Sequence, residues 1–139
     1  MKSEPDHPMK TKLLQVICQL HDWENQHLHL VQSQAGRYLY LSLVKQLTEA
    51  KQDQPSALLK GIYHNQDLSE RALRYKIREF EQEGLIKFEC NQFDKRSKKI
   101  LPTADLMQTL ETHSQELGRI LATKFVLLPK NKSATTDEP

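Results

Sequence analysis

Apolar residues in the first quarter of the chain recur at helical spacing. Leu13, Ile17, Leu20, Leu28 and Val31, with Val16 and Trp23 alongside, form a wide stripe that predicts a helix from residue 9 to about 31. Gln34-Ala35-Gly36 is the expected break. A second helix is predicted over 37–50, burying Leu39, Leu43, Val44 and Leu47. It should end at Gln52-Asp53-Gln54-Pro55, because proline disfavours helix at the residue before it.

Shorter elements follow. Ser56 is placed to cap a short helix over 57–63, and His64-Asn65-Gln66-Asp67 has turn chemistry. Ser69 is placed to cap a longer helix running to about Glu83, where Gly84 stops it. Leu85-Ile86-Lys87-Phe88-Glu89-Cys90 then alternates as a strand does. A polar, basic stretch leads to a second short strand at Ile100-Leu101-Pro102, so the pair reads as a β-hairpin. From Thr103 a last helix carries Leu106, Leu110, Leu117, Ile120 and Leu121, and 125–139 reads as a polar tail. The expected class is mainly α with a small β-hairpin (α+β), in the element order of a winged helix-turn-helix.

Composition narrows the class without naming a function. The chain has 139 residues, one domain's worth, with 37% apolar and 27% charged residues. No apolar run is long enough to span a membrane, and the first residues lack the apolar core of a signal peptide, so cytoplasmic residence is the expectation. The net charge of +2 is unevenly distributed. Between residues 71 and 99, nine Lys/Arg (71, 74, 76, 78, 87, 95, 96, 98, 99) face five Asp/Glu (79, 81, 83, 89, 94). A basic segment within a near-neutral chain suits nucleic acid, although an ordinary solvated surface has the same counts.

Two places in that segment carry chemistry. On the helix 69–83, at about 100° per residue, Leu73, Ile77 and Phe80 fall on one side. Arg71, Arg74, Tyr75 and Arg78 fall roughly opposite, at i, i+3, i+4 and i+7. Arginine can pair in bidentate fashion with guanine, and tyrosine can meet a phosphate or a thymine methyl in the major groove. The alternative is a solvated face paired with Glu79, Glu81 and Glu83. The second place is Asp94-Lys95-Arg96, with Lys98 and Lys99 close behind. A narrow minor groove attracts an inserted arginine, and a neighbouring carboxylate can hold it extended. A charged hairpin tip that only keeps the chain soluble is the rival reading.

Residues 68–106 resemble the winged-helix core of the multiple-antibiotic-resistance regulator (MarR) family. The matching features are Leu68-Ser69, the basic helix, Glu83-Gly84-Leu85-Ile86, Asp94-Lys95-Arg96 and Leu101-Pro102-Thr103. Gly84 to Asp94 spans ten positions and Asp94 to Thr103 nine, as in the family. Two departures are visible. Pro102 separates Leu101 from Thr103, and Leu58-Leu59-Lys60-Gly61-Ile62-Tyr63 stands where the family places a Leu-Ala pair. The resemblance implies a homodimer whose first and last helices intertwine, with 9–53 and 103–124 flanking a DNA-binding unit at 55–103. It also implies Arg96 as the minor-groove wedge with Asp94 as its partner, and Ser69, Arg71, Arg74 and Tyr75 as contacts of the recognition helix.

The remaining candidates are weaker. Cys18 lies in the first helix, where some members of the family sense oxidants, yet no Lys or Arg adjoins it to stabilise a thiolate. Cys90 reads as incidental. His21, His27 and His29 diverge around a helix and make a poor metal site. No nucleophile elbow, phosphate loop or acid pair points to an enzyme, and no cofactor is implied. The expected function is sequence-specific binding of double-stranded DNA by a homodimeric transcriptional regulator, a repressor more often than an activator in this class. Helix 69–83 would enter the major groove, and the wing 87–101 the minor groove. Ser69, Arg71, Arg74, Tyr75, Arg78, Asp94, Lys95, Arg96 and Lys98 are the candidate contacts. An unidentified small-molecule effector is compatible with that expectation. A winged-helix module that binds protein through the same face is the alternative.

Overall fold

The computed structural model describes residues 7–49, 56–63, 67–89 and 98–125. The order is α1 (His7–His27), a 3-10 turn (His29–Val31), α2 (Gln34–Glu49), β1 (Ala57–Leu58), a second 3-10 turn (Leu59–Gly61), α3 (Glu70–Gln82), β2 (Ile86–Glu89), β3 (Lys99–Pro102) and α4 (Ala104–Lys124). The fold is mainly helical with a small antiparallel sheet, the class the sequence predicts. The chain divides into two compact units, Glu24–Thr112 and the two terminal segments that flank it.

The unit Glu24–Thr112 holds most of the core. Leu39, Tyr40 and Leu43 on α2, Leu73, Ile77 and Phe80 on α3, Ile86 and Ile100 on the sheet and Leu106 on α4 are all buried. Full burial of such a side chain contributes about 1.5–3 kcal/mol each before the entropy of ordering it. The sheet order is β1-β3-β2, all antiparallel. Ile86 faces Pro102, Phe88 faces Ile100 and Glu89 faces Lys99, while Ala57 pairs with Ile100 from the other side.

In the terminal unit, α1 and the end of α4 run antiparallel. Lys12 lies over the Phe125 ring at 5.8 Å, Lys124 Nζ donates to Gln15 Oε1 at 3.1 Å, and the Trp23 and His113 rings stack at 5.8 Å. Val16 and Ile120 are its buried apolar side chains among the described residues.

Three expectations about elements need correcting. The predicted helix 9–31 stops at His27, and a 3-10 turn follows. Leu28, Leu30 and Val31 are all buried. On a continuing α-helix Leu28 and Leu30 would point about 200° apart, so the break lets all three reach the core. Gln34-Ala35-Gly36 is not the break but the first turn of α2, capped by Ser33, whose hydroxyl accepts from the Gly36 N–H at 3.0 Å. Glycine stands there because of a close approach. A Cβ at residue 36 would lie 2.2 Å from the Leu30 carbonyl oxygen.

The predicted helix 57–63 is instead strand β1 followed by one 3-10 turn, which adds a third strand to the expected hairpin. Ala57 is buried beside Ile100, and the Leu59 N–H donates to the Lys98 carbonyl at 3.1 Å. Its first residues pair with β3, and the 3-10 turn closes on itself where the Ile62 N–H donates to the Leu59 carbonyl at 3.0 Å. Residues 64–66 and the polar tail from 126 lie outside the described residues.

Candidate nucleic-acid interface

Helix α3 begins and ends where residue type demands. The Ser69 hydroxyl accepts from the Ala72 N–H at 3.0 Å, satisfying one of the helix's open donors. At the other end Gly84 adopts φ +80°, its N–H donates to the Glu81 carbonyl at 3.0 Å, and the Leu85 N–H reaches the Phe80 carbonyl at 3.0 Å. This is a Schellman closure, and the buried Phe80 and Leu85 supply its apolar contact. Among the described residues nothing crowds a Cβ at residue 84, and the positive φ itself calls for glycine.

With both ends fixed, the helix shows two faces. Leu73, Ile77 and Phe80 are buried, whereas Arg71, Arg74, Tyr75 and Arg78 are exposed, Tyr75 by 65%. A tyrosine that exposed offers its ring and hydroxyl to whatever docks. Ser69 is exposed and keeps its hydroxyl proton available after capping.

The acids on α3 are arranged differently from the sequence expectation. Glu79 pairs with Lys76 at 3.0 Å, and Glu83 Oε1 lies 3.2 Å from His29 Nε2. The carboxylate that reaches the basic face is Glu70, within 2.6 Å of Arg74 Nη2. Glu70 lies in the first turn, away from the last turns that hold Glu79, Glu81 and Glu83, so the expectation built on those three does not include it. The signal was present as Glu-x-x-x-Arg, the favourable i, i+4 order.

Strands β2 and β3 form the base of the hairpin. Lys87 and Glu89 are exposed on β2, and the exposed Lys98 holds its ammonium 5.9 Å from the Phe88 ring centroid. Asp94, Lys95 and Arg96 lie outside the described residues. The base itself is anchored at Thr103. Its hydroxyl donates to the carbonyls of Gly84 and Leu85 at 2.7 and 2.9 Å, and accepts from the Leu106 N–H at 3.2 Å. Thr103 therefore caps α4 while joining the point where β3 ends to the turn where β2 begins.

A second cluster escaped the sequence reading. Glu24 is buried at the end of α1 and pairs with Arg37 Nη1 of α2 at 3.2 Å. Burial, and then the charge of Glu24, push the Tyr40 phenol from 10.0 up to about 12. Cys18 is exposed on α1. Among the described residues no group of three or more His, Cys, Asp or Glu is placed to hold a metal ion, and no helix is long and apolar enough to cross a membrane.

Neither a protein-family model nor a curated protein matches the sequence at a significant level. Solved structures do match the fold. YusO protein from Bacillus subtilis superposes with a TM-score of 0.57 at 15% identity, covering 99% of this chain and 92% of that one. AbsC, a MarR family transcriptional regulator from Streptomyces coelicolor, gives 0.52 at 17% identity, covering 99% and 89%. Sco3205, a MarR family transcriptional regulator from the same organism solved in complex with DNA, gives 0.50 at 16%, covering 99% and 84%. The chain therefore has the winged-helix fold of MarR-family transcriptional regulators, and the likeness extends well beyond residues 68–106.

Proposed function

We propose that this chain is a sequence-specific double-stranded DNA-binding transcriptional regulator, acting as a homodimer and as a repressor. The carrying observation is the exposed stripe Arg71, Arg74, Tyr75 and Arg78 on a helix capped at both ends and backed by the core. A helix so held can present side chains to the major groove with little loss of entropy on docking. In this reading Ser69, Arg71, Arg74, Tyr75 and Arg78 meet bases and phosphates of one half-site. Asp94, Lys95, Arg96 and Lys98 belong to the wing 87–101, which enters the flanking minor groove. Segments 9–53 and 103–124 supply the dimer, and two-fold symmetry makes the operator a pseudo-palindrome.

The dimer reading is supported by α1. Met9, Leu13, Leu14 and Ile17 are exposed by 57, 47, 54 and 63%, an apolar strip of the kind that marks an interaction surface. A small-molecule effector is compatible with the proposal. The recess lined by Tyr38, Leu41, Ser42, Lys45 and Gln46 offers an effector both an apolar wall and a cation.

The experiment is selection of bound fragments from a genomic library, followed by gel shifts at two salt concentrations against competitor DNA. A specific site should survive competitor and lose affinity with salt in proportion to the phosphates contacted. Arg71→Ala and Arg78→Ala should each weaken that site about tenfold. Weak binding that salt and competitor remove entirely would favour the protein-binding module instead.

A further inference from the structure

We infer that Glu70 is a positioning residue for base readout: its carboxylate holds the Arg74 guanidinium at the leading end of the recognition helix, so that Arg74 reads one base pair per half-site. The inference rests on the DNA-binding reading above and adds to it a division of labour among the arginines.

The geometry is specific. Glu70 is the first residue of α3, directly after the Ser69 cap, and its Oε1 lies 2.6 Å from Arg74 Nη2. Side chains on an α-helix lean toward its N-terminus, so Arg74 already points back along the helix. The pair keeps the guanidinium beside the first turn, and the first turn is the part of a recognition helix that meets base edges. Glu70 Oε1 takes one of the two Nη2 hydrogens, so the other still forms a parallel fork with its neighbour, Nη1 or Nε.

Both side chains are well exposed, so in water the pair is weak and screened. In a groove emptied of water the same contact strengthens, because the dielectric falls. The charge count points the same way. Arg74 with Glu70 is close to neutral and suits a phosphate poorly, but its remaining donors match the two acceptors that guanine shows in the major groove. Arg71 and Arg78 are exposed and carry no such pairing among the described residues, which suits them to phosphates.

The test is selection from a randomised double-stranded library with wild type, Glu70→Ala, Glu70→Gln, Arg74→Ala and the double variant Glu70→Ala/Arg74→Ala. Wild type should prefer guanine at one position of each half-site. Glu70→Ala should reduce that preference about tenfold and leave the other positions unchanged. Its binding to non-specific DNA at matched salt should not weaken, since a carboxylate facing phosphates has been removed. Glu70→Gln, which keeps an acceptor without the charge, should fall between wild type and Glu70→Ala. The double variant should match Arg74→Ala, because a positioning residue has nothing left to position.

Retention of the guanine preference in Glu70→Ala overturns the inference while leaving the DNA-binding reading intact. A further change of preference in the double variant also overturns it, because Glu70 would then read a base itself. If wild type selects no sequence at all, the DNA-binding reading falls and takes this inference with it.

Discussion

The hydroxyl of Thr103 donates to the carbonyl of Gly84 at 2.7 Å, across a separation of nineteen residues. The two residues stand at the feet of the hairpin, one after β3 and one before β2. Gly84 is in the left-handed conformation that ends α3, and Thr103 caps the start of α4. One side chain thus ties the end of α3 and the start of β2 to the first turn of α4. Thr103→Val keeps the shape but removes the donor and the cap, and should cost about 1–2 kcal/mol. Thr103→Ser should recover most of it. Urea denaturation measures this as a lower midpoint at unchanged slope, and an unchanged midpoint for Thr103→Val would show the contact to be incidental.

What was legible in the sequence separates by the reach of each signal. Ser69 and Gly84 mark the ends of α3 because the required backbone geometry is written into single residue types. Gly36 misled for the same reason. A glycine needed for close approach to Leu30 looks like one needed for a turn, and only the fold distinguishes them. Strand β1 was illegible because it depends on Ile100, far along the chain, rather than on its own propensity. The basic face of α3 followed from spacing alone, whereas the Glu70–Arg74 pair and the pair between buried Glu24 and exposed Arg37 depend on rotamers and on which helix ends come together.

Tyr40 predicts an alkaline limit. Its phenol holds its proton to about 12 in the folded chain, against 10.0 ordinarily, because burial and then Glu24 disfavour the phenolate. Below pH 10 both folded and unfolded states are protonated, so the contribution is fully present. Between about 10 and 12 the unfolded chain loses the proton first, and stability falls by roughly 1.4 kcal/mol per pH unit. Tyr40→Phe should flatten that decline and delete a phenolate absorbance step near pH 12. An identical alkaline slope in Tyr40→Phe would place the cause elsewhere.

The apolar strip on α1 predicts the consequence of charging it. Ile17 is its most exposed member, and a symmetric dimer would bury it twice. Each burial contributes at most about 1.5–3 kcal/mol, so Ile17→Glu should weaken self-association by tenfold or more. Light scattering should give twice the chain mass for wild type at micromolar concentration and a shift toward the monomer for Ile17→Glu. Binding to a pseudo-palindrome should suffer more than binding to a single half-site. A wild-type chain that stays monomeric would remove the dimer from the proposal.

The wing supplies the test whose sign is most informative. Glu89 and Lys99 face each other across β2 and β3, and the residues between them include Asp94, Lys95 and Arg96. If Arg96 enters a narrow minor groove, its guanidinium is drawn by the negative potential of A/T-rich flanks, and Asp94 holds it extended by a charge-assisted bond. Arg96→Ala should then weaken binding most on A/T-rich flanks, with little change in preference beneath α3. Asp94→Ala should weaken binding too, although it removes a negative charge that repels phosphate. A wing acting only through its net charge predicts the opposite, tighter binding for Asp94→Ala. Titrations of both variants at matched salt, on operators that differ only in flank composition, separate the two. Tighter binding by Asp94→Ala, or an Arg96→Ala defect indifferent to the flanks, would reduce the wing to a charged tip.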